Sequence, residues 1–252
     1  MQNIRECAVA GMFYPGKRDE LMSMIEELTD KSEGSPERDI HGVIVPHAGY
    51  MYSGKTASYA FRKLPKGKFR RVVVLGPNHT VYTDKAVMDT NDVWRTPLGD
   101  VKIEYDKVPD IILRDERPHK REHSIEAEIP FLQYYLGDFM LVPIIIGDIT
   151  DEDAKEYAKA INSMMDDETL LVVSTDLSHF LSQEEAEEID GITISNIQAM
   201  QGEFEACGKN PLKVLTEISR MNDWEIKLVH RSTSAESSGD RSSVVGYASF
   251  VF

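Results

Sequence analysis

Four apolar runs, at residues 42–45, 72–75, 141–146 and 170–173, constrain this chain more than any other feature, because none of them alternates with polar residues. A strand wetted on one face alternates. A continuous run belongs to a strand buried on both faces, the mark of a parallel sheet covered by helices on each side. Helical spacing falls between the runs. Leu21, Met24, Ile25 and Leu28 share one face over 18–29, and Ala57, Ala60, Phe61 and Leu64 do so over 55–64, with Gly49 and Gly54 reading as a turn before it. Residues 129–136 read as a helix with Pro130 in its first turn. Thr150 with Asp153 and Ser182 with Glu185 are capping boxes, the first opening a helix to about Met165. Asn210-Pro211 reads as an N-cap and first-turn pair for a helix ending near Met221. Residues 94–99 suggest an antiparallel hairpin, 225–230 and 243–252 two closing strands, and 31–36 a linker. The expected fold is α/β, a three-layer α/β/α sandwich with a mostly parallel central sheet, in one domain over residues 1–252.

Polar side chains stand at or just beyond the ends of these runs: His47 after the first, His79 after the second, Asp176 and His179 after the last. In open α/β sheets the loops after parallel strands share one crevice, so residues distant in sequence converge there. Cys207 precedes a helix start, where oriented N–H groups favour a thiolate. Any one such histidine or cysteine is more often structural than functional; their conjunction points to a metal. Imidazole and thiolate suit iron, copper or zinc rather than magnesium or calcium. Three protein ligands, His47, His79 and Cys207, leave a position open for water or substrate, as catalysis needs. His179 is then the proton carrier, with Asp176 as its orienting partner or an extra ligand. His123 is a further pocket residue, with Glu126 or Glu128 as its carboxylate neighbour; Asn78, Tyr50 and Tyr52 are weaker pocket candidates. His41, His119 and His230 read as surface or strand-edge residues.

The net charge of −15 repels phosphate backbones and argues against nucleic-acid binding. Two basic clusters, Lys63 to Arg71 and Arg114 to Arg121, read as solvated loop faces. No run approaches the roughly 20 apolar residues of a membrane span, and the first residues lack the apolar stretch of a secretory signal. Cys7 and Cys207, far apart, form no disulfide framework, so reduced thiols and a cytoplasmic location are expected.

Several short segments, in this order and spacing, resemble the Memo family: Ala10-Gly11-Met12-Phe13-Tyr14-Pro15, Pro46-His47-Ala48-Gly49-Tyr50, Gly76-Pro77-Asn78-His79, Glu122-His123-Ser124-Ile125-Glu126, Ser174-Thr175-Asp176-Leu177-Ser178-His179 and Cys207-Gly208. The match runs from near Cys7 to the C-terminus. The resemblance implies a fold similar to class III extradiol dioxygenases, whose non-haem iron is held by two histidines and a glutamate. By motif, His47 and His79 match the histidine ligands, Cys207 takes the carboxylate position and His179 matches the catalytic base. The thiolate softens the site toward copper or zinc as well as iron(II), the first choice, and sets an oxidisable atom beside any bound oxygen. The family is linked to redox and metal handling, to phosphotyrosine-peptide binding, and in prokaryotes to an AmmeMemoRadiSam grouping with a radical SAM protein. Three readings of function follow: a metal-dependent oxidoreductase with an unknown small substrate, a zinc hydrolase using His179 or Asp176 as base, and a non-enzymatic peptide- or partner-binding protein.

Overall fold

Every apolar run forms a strand. The computed structural model describes residues 2–30, 35–37 and 39–252. In chain order the elements are β1 (Ile4–Arg5), α1 (Arg18–Asp30), β2 (Gly42–Val45), α2 (Tyr50–Phe61), β3 (Arg71–Pro77), β4 (Ala86–Met88), β5 (Val93–Thr96), β6 (Gly99–Ile103), β7 (Leu113–Arg114), α3 (Ile129–Leu136), β8 (Met140–Ile146), α4 (Asp151–Asn162), β9 (Thr169–Ser174), β10 (His179–Leu181), α5 (Gln183–Ala199), α6 (Lys209–Asn222), β11 (Lys227–Thr233), α7 (Ala235–Ser238) and β12 (Val244–Val251).

The long apolar strands lie side by side at the centre in the order β8-β3-β9-β2, all parallel, with Val72 opposite Leu141, Val73 opposite Leu171 and Val43 opposite Val172. Their apolar side chains, from Val43 through Val173, are buried on both faces, which is why the runs do not alternate. The β5–β6 hairpin extends one edge, and β12, antiparallel to β2, extends the other with β11 and β10 paired to it. Helices α1, α2 and α3 pack on one another, and α6 packs on α4, β3 and β9, completing the sandwich. No described helix is long and apolar enough to cross a membrane.

Both capping boxes form, at Thr150 for α4 and at Ser182 for α5. α4 ends at Asn162, short of Met165, and the closing strands run to Thr233 and Val251. Two helix starts correct the sequence reading. α2 begins at Tyr50, and Gly54 lies inside it rather than in a turn: a Cβ there would meet Leu28 Cδ1 of α1 at 2.7 Å, so glycine permits close helix contact. α6 begins at Lys209 with Gly208 as N-cap, while Asn210 donates its side-chain amide to the Gly147 carbonyl, 2.8 Å away. Pro211 is still in the first turn, where the missing N–H costs no helical bond. Of the expected linker, residues 31–34 lie outside the described residues; Ser35 and Pro36 are in neither helix nor strand. His119 is fully buried rather than at the surface, its Nε2 3.0 Å from the Val87 carbonyl and its ring edge-on to Trp94.

Candidate metal centre

Three neighbouring strands aim their C-terminal ends at one place. His47 follows β2, His79 follows β3 and Asp176 follows β9, which lies between the other two. Thr175 N donates to the Val45 carbonyl, 2.9 Å, and His47 N to Asp176 Oδ1, 2.9 Å, so the loops after β2 and β9 are tied together. Cys207 comes from the turn before α6. Its amide donates to the Asp176 carbonyl, 3.3 Å, and Gly208 N to Thr175 Oγ1, 2.8 Å. A Cβ at Gly208 would lie 2.5 Å from Thr175 Cβ, so only glycine brings α6 this close to the end of β9.

Ligand atoms of His47, His79 and Cys207 all lie within 4.8 Å of one another, with His47 Nε2 3.3 Å from Cys207 Sγ. Two ligands on a tetrahedral ion, at bond lengths of about 2.1 and 2.3 Å, stand about 3.5 Å apart, so the His47–Cys207 pair fits as it stands. Proton counting fixes the His47 tautomer. The Ser174 hydroxyl lies 2.6 Å from the Ser124 carbonyl, 2.8 Å from Glu128 Oε1 and 2.7 Å from His47 Nδ1. It has one proton, and the carbonyl can only accept it. Glu128 must therefore carry its own proton, in keeping with burial pushing its carboxyl well above the usual range. His47 Nδ1–H donates to the remaining lone pair, leaving Nε2 bare toward the sulfur.

Glu122 does the same for His79. Its Oε2 accepts the His79 amide, 2.7 Å, and its Oε1 lies 2.9 Å from His79 Nδ1, which leaves Nε2 as the ligand atom. Oε1 also accepts the His123 and Ser124 amides, 2.9 and 3.1 Å, and lies 3.3 Å from His123 Nδ1. Burial opposes the Glu122 charge, but the His79 and His123 donors outweigh it and lower its pKa to about 2. His79, Glu122 and His123 also lie close enough to hold an ion, yet the carboxylate is already surrounded by N–H donors, so it serves as an orienting group and the set with Cys207 fits a metal better.

Neither His47 nor Cys207 carries a charge of its own at neutral pH. Burial, then the neighbouring imidazoles of His123 and His79, hold His47 well below the usual histidine range, so its lone pair is free at neutral pH. Burial and the Asp176 charge push the Cys207 thiol up to about 12, so a thiolate there requires an added positive charge.

The other expected residues divide. His179 Nδ1–H donates to the Leu177 carbonyl, 2.8 Å, leaving Nε2 as a proton acceptor. Asp176 does not orient His179. Its carboxylate accepts the His47 and Ala48 amides, while burial raises its pKa to about 7. His123 joins the imidazole cluster, its ring centroid 4.6 Å from His79 and 5.4 Å from His47, with Phe13 packed at 4.8 Å. Tyr50 does not face the cluster: its hydroxyl donates to the Ala127 carbonyl, 2.7 Å, and its ring stacks on Phe131 in the core. Tyr52 is exposed, and Asn78 closes its own loop through Val81, Nδ2 donating to the carbonyl at 2.5 Å. Neither Glu126 nor Glu128 is the carboxylate held between His79 and His123; that is Glu122, which with Ser174 was not singled out from sequence.

Residues 5–251 match the Memo-like protein family. The chain is 36% identical to a MEMO1 family protein of Methanobrevibacter smithii, over 99% of each chain, and 37% identical to one of Methanococcoides burtonii, over 98% of this chain and 99% of the relative. Among solved structures, an uncharacterised Escherichia coli K12 protein superposes with a TM-score of 0.53 at 12% identity, over 84% of this chain and 99% of that one, a likeness of fold alone.

Proposed function

The chain belongs to the Memo-like family, and from that premise we propose that it is a metal-dependent oxidoreductase in which His47, His79 and Cys207 hold iron or copper and a small substrate takes the open side. The observation that carries this reading is the convergence of two imidazole nitrogens and one sulfur, each from a different segment, within 4.8 Å. Bound iron or copper supplies one-electron chemistry and, with three protein ligands, open positions for water or substrate. Ser174 and Glu122 hold the two imidazoles with a bare Nε2 each. His179, its tautomer fixed by the Leu177 carbonyl, accepts a proton from substrate at Nε2 and returns it. Asp176 positions the His47 loop through two backbone amides.

The test is metal analysis of protein purified without added metal, followed by titration with iron(II), copper or zinc. Wild type is expected to carry about one iron or copper per chain, with absorption bands that zinc lacks, and Cys207→Ala to carry less than about a tenth of that. Glu122→Gln, which weakens the orienting bond to His79, is expected to lose about 10–100-fold in metal affinity. Equal and negligible metal in wild type and Cys207→Ala would sink the reading, and a colourless zinc protein that cleaves an ester or amide would replace it with hydrolysis.

A further inference from the structure

Three residues other than glycine have a left-handed backbone among the described residues: Phe180, Met200 and Asp223, at φ of 62°, 53° and 54°. Met200 and Asp223 are the C-caps of α5 and α6, where a left-handed residue is an ordinary way to end a helix. Phe180 ends no helix. It lies in β10, whose pairing with β12 steps from His179 opposite Val245 to Leu181 opposite Val244, so Phe180 is one residue too many for its partner strand. Bulges with a left-handed residue favour glycine, because a Cβ there crowds the following carbonyl. The phenylalanine ring gains nothing from the interior in return. Phe180 is 79% exposed, more than any other large apolar side chain described, and its ring meets that of His179 edge-on at 5.7 Å between centroids. Backbone strain of this kind persists where function requires it.

Phe180 does not stand alone. Most of the large apolar side chains left exposed among the described residues belong to the segments that carry the metal cluster. Met51 and Tyr52 follow His47, Val81 and Tyr82 follow His79, and Phe180 follows His179. Met12 belongs to a turn whose next residue, Phe13, packs on His123 at 4.8 Å and accepts the Tyr50 amide at its carbonyl, 2.8 Å. Apolar side chains exposed singly need no explanation, whereas a group of them gathered around one site marks a surface that an apolar ligand covers. The loops follow the C-terminal ends of β2, β3 and β9, so this rim and the proposed metal ligands lie at one end of the sheet. At positions 179 and 180 a proton acceptor and an apolar face stand side by side, so a ligand touching both carries its polar and apolar parts close together in one molecule.

We propose that Phe180 determines specificity at the metal site: the substrate is a small molecule with an apolar body, which the Phe180 ring covers, and a polar end that reaches the metal and His179. This rests on the metal-site reading above and adds to it the class of substrate. The strained bulge turns the ring out of the sheet and toward solvent, where only a bound ligand can bury it.

The probe is phenylimidazole, with imidazole as its coordinating head alone, each titrated into the copper(II)-loaded full chain and followed by the copper absorption bands. Phenylimidazole is expected to bind wild type about tenfold or more tighter than imidazole does, a ratio that falls to about two in Phe180→Gly and Phe180→Asn while imidazole binding stays within about twofold. Leu113→Ser, which removes an exposed apolar side chain on β7, is expected to keep the wild-type ratio. Thermal melts separate this role from a structural one. Glycine and asparagine accept a left-handed backbone, so both Phe180 variants are expected to melt at or above the wild-type temperature. A ratio near one in wild type, or the same ratio in wild type and the Phe180 variants, would overturn the inference and leave the metal site standing. Phe180 variants that melt several degrees below wild type would overturn it too, by showing that the ring supports the fold. A wild-type chain that shows no copper bands would remove the metal reading and this inference together.

Discussion

Ser174 shows how one hydroxyl can set the protonation of its neighbours. Because it gives its single proton to the Ser124 carbonyl, both Glu128 and His47 must donate to it, and Glu128 stays protonated in the folded chain. A carboxyl whose folded pKa is raised adds stability that is complete below its unfolded pKa of about 4.5 and is lost as pH rises through the folded value. Ionising Glu128 would leave two oxygens facing each other without a proton between them. Glu128→Gln keeps a donor toward Ser174 at every pH. Wild type and the variant are therefore expected to melt alike near pH 4, and the wild type to fall behind as pH rises, by about 1–3 kcal/mol. At about 2–4 °C per kcal/mol for a chain of this size, calorimetry from pH 4 to 9 resolves the gap. Parallel curves for the two proteins would mean that Glu128 is ionised throughout and that the proton count is wrong.

At the scale of elements, the strands were legible and the helix starts less so. A β-branched run such as Val72–Val73–Val74 admits little besides a buried strand, and the polar residue ending it marks the loop that carries chemistry. Thr150 and Ser182 announce α4 and α5 because a capping box is local in sequence. α2 and α6 were misplaced because their starts depend on glycines serving tertiary contacts: Gly54 makes room for Leu28 and Gly208 for Thr175, neither of them near in sequence. Glu122 could not be found for a related reason. It sits in a polar stretch with no periodicity, and its importance arises only when the amides of residues 79, 123 and 124 fold around it. The glycines make a paired prediction. Gly208→Ala must push Thr175 or the start of α6 aside, at about 1–3 kcal/mol, and shift Cys207 enough to lower metal content. Gly191→Ala, inside α5, has nothing within 4 Å of its added Cβ and should stabilise by about 0.5–1 kcal/mol. Thermal melts of the two variants should move in opposite directions; a shared direction would show that packing around Gly208 is not tight.

Over the whole molecule, the metal loops depend on a contact between the start of the chain and its middle. The Arg5 guanidinium, 3.9 Å over the Trp94 ring, donates to Glu126 Oε2 at 2.6 Å and to the carbonyls of His119 and Glu122 at 2.8 and 2.7 Å. Glu126 in turn accepts the amides of Ala8 and Val9 and the Tyr14 hydroxyl. Residues 5–14 are thereby clamped to the loop that presents Glu122 and His123, and both charged side chains are almost wholly buried. Such a pair adds little stability over a well-packed apolar substitute, because desolvation offsets attraction, but removing one member strands the other. Glu126→Ala should then cost about 3–5 kcal/mol, and the Arg5→Met, Glu126→Leu double variant should recover part of that loss. Recovery should be incomplete, since the amides of Ala8 and Val9 and the Tyr14 hydroxyl still lack an acceptor. Calorimetry is expected to rank the melting temperatures as wild type, double variant, Glu126→Ala, with metal affinity in the same order because Glu122 moves with the clamp. A Glu126→Ala protein within about 1 kcal/mol of wild type would show that the N-terminal segment is held by its pairing with β5 rather than by the buried pair.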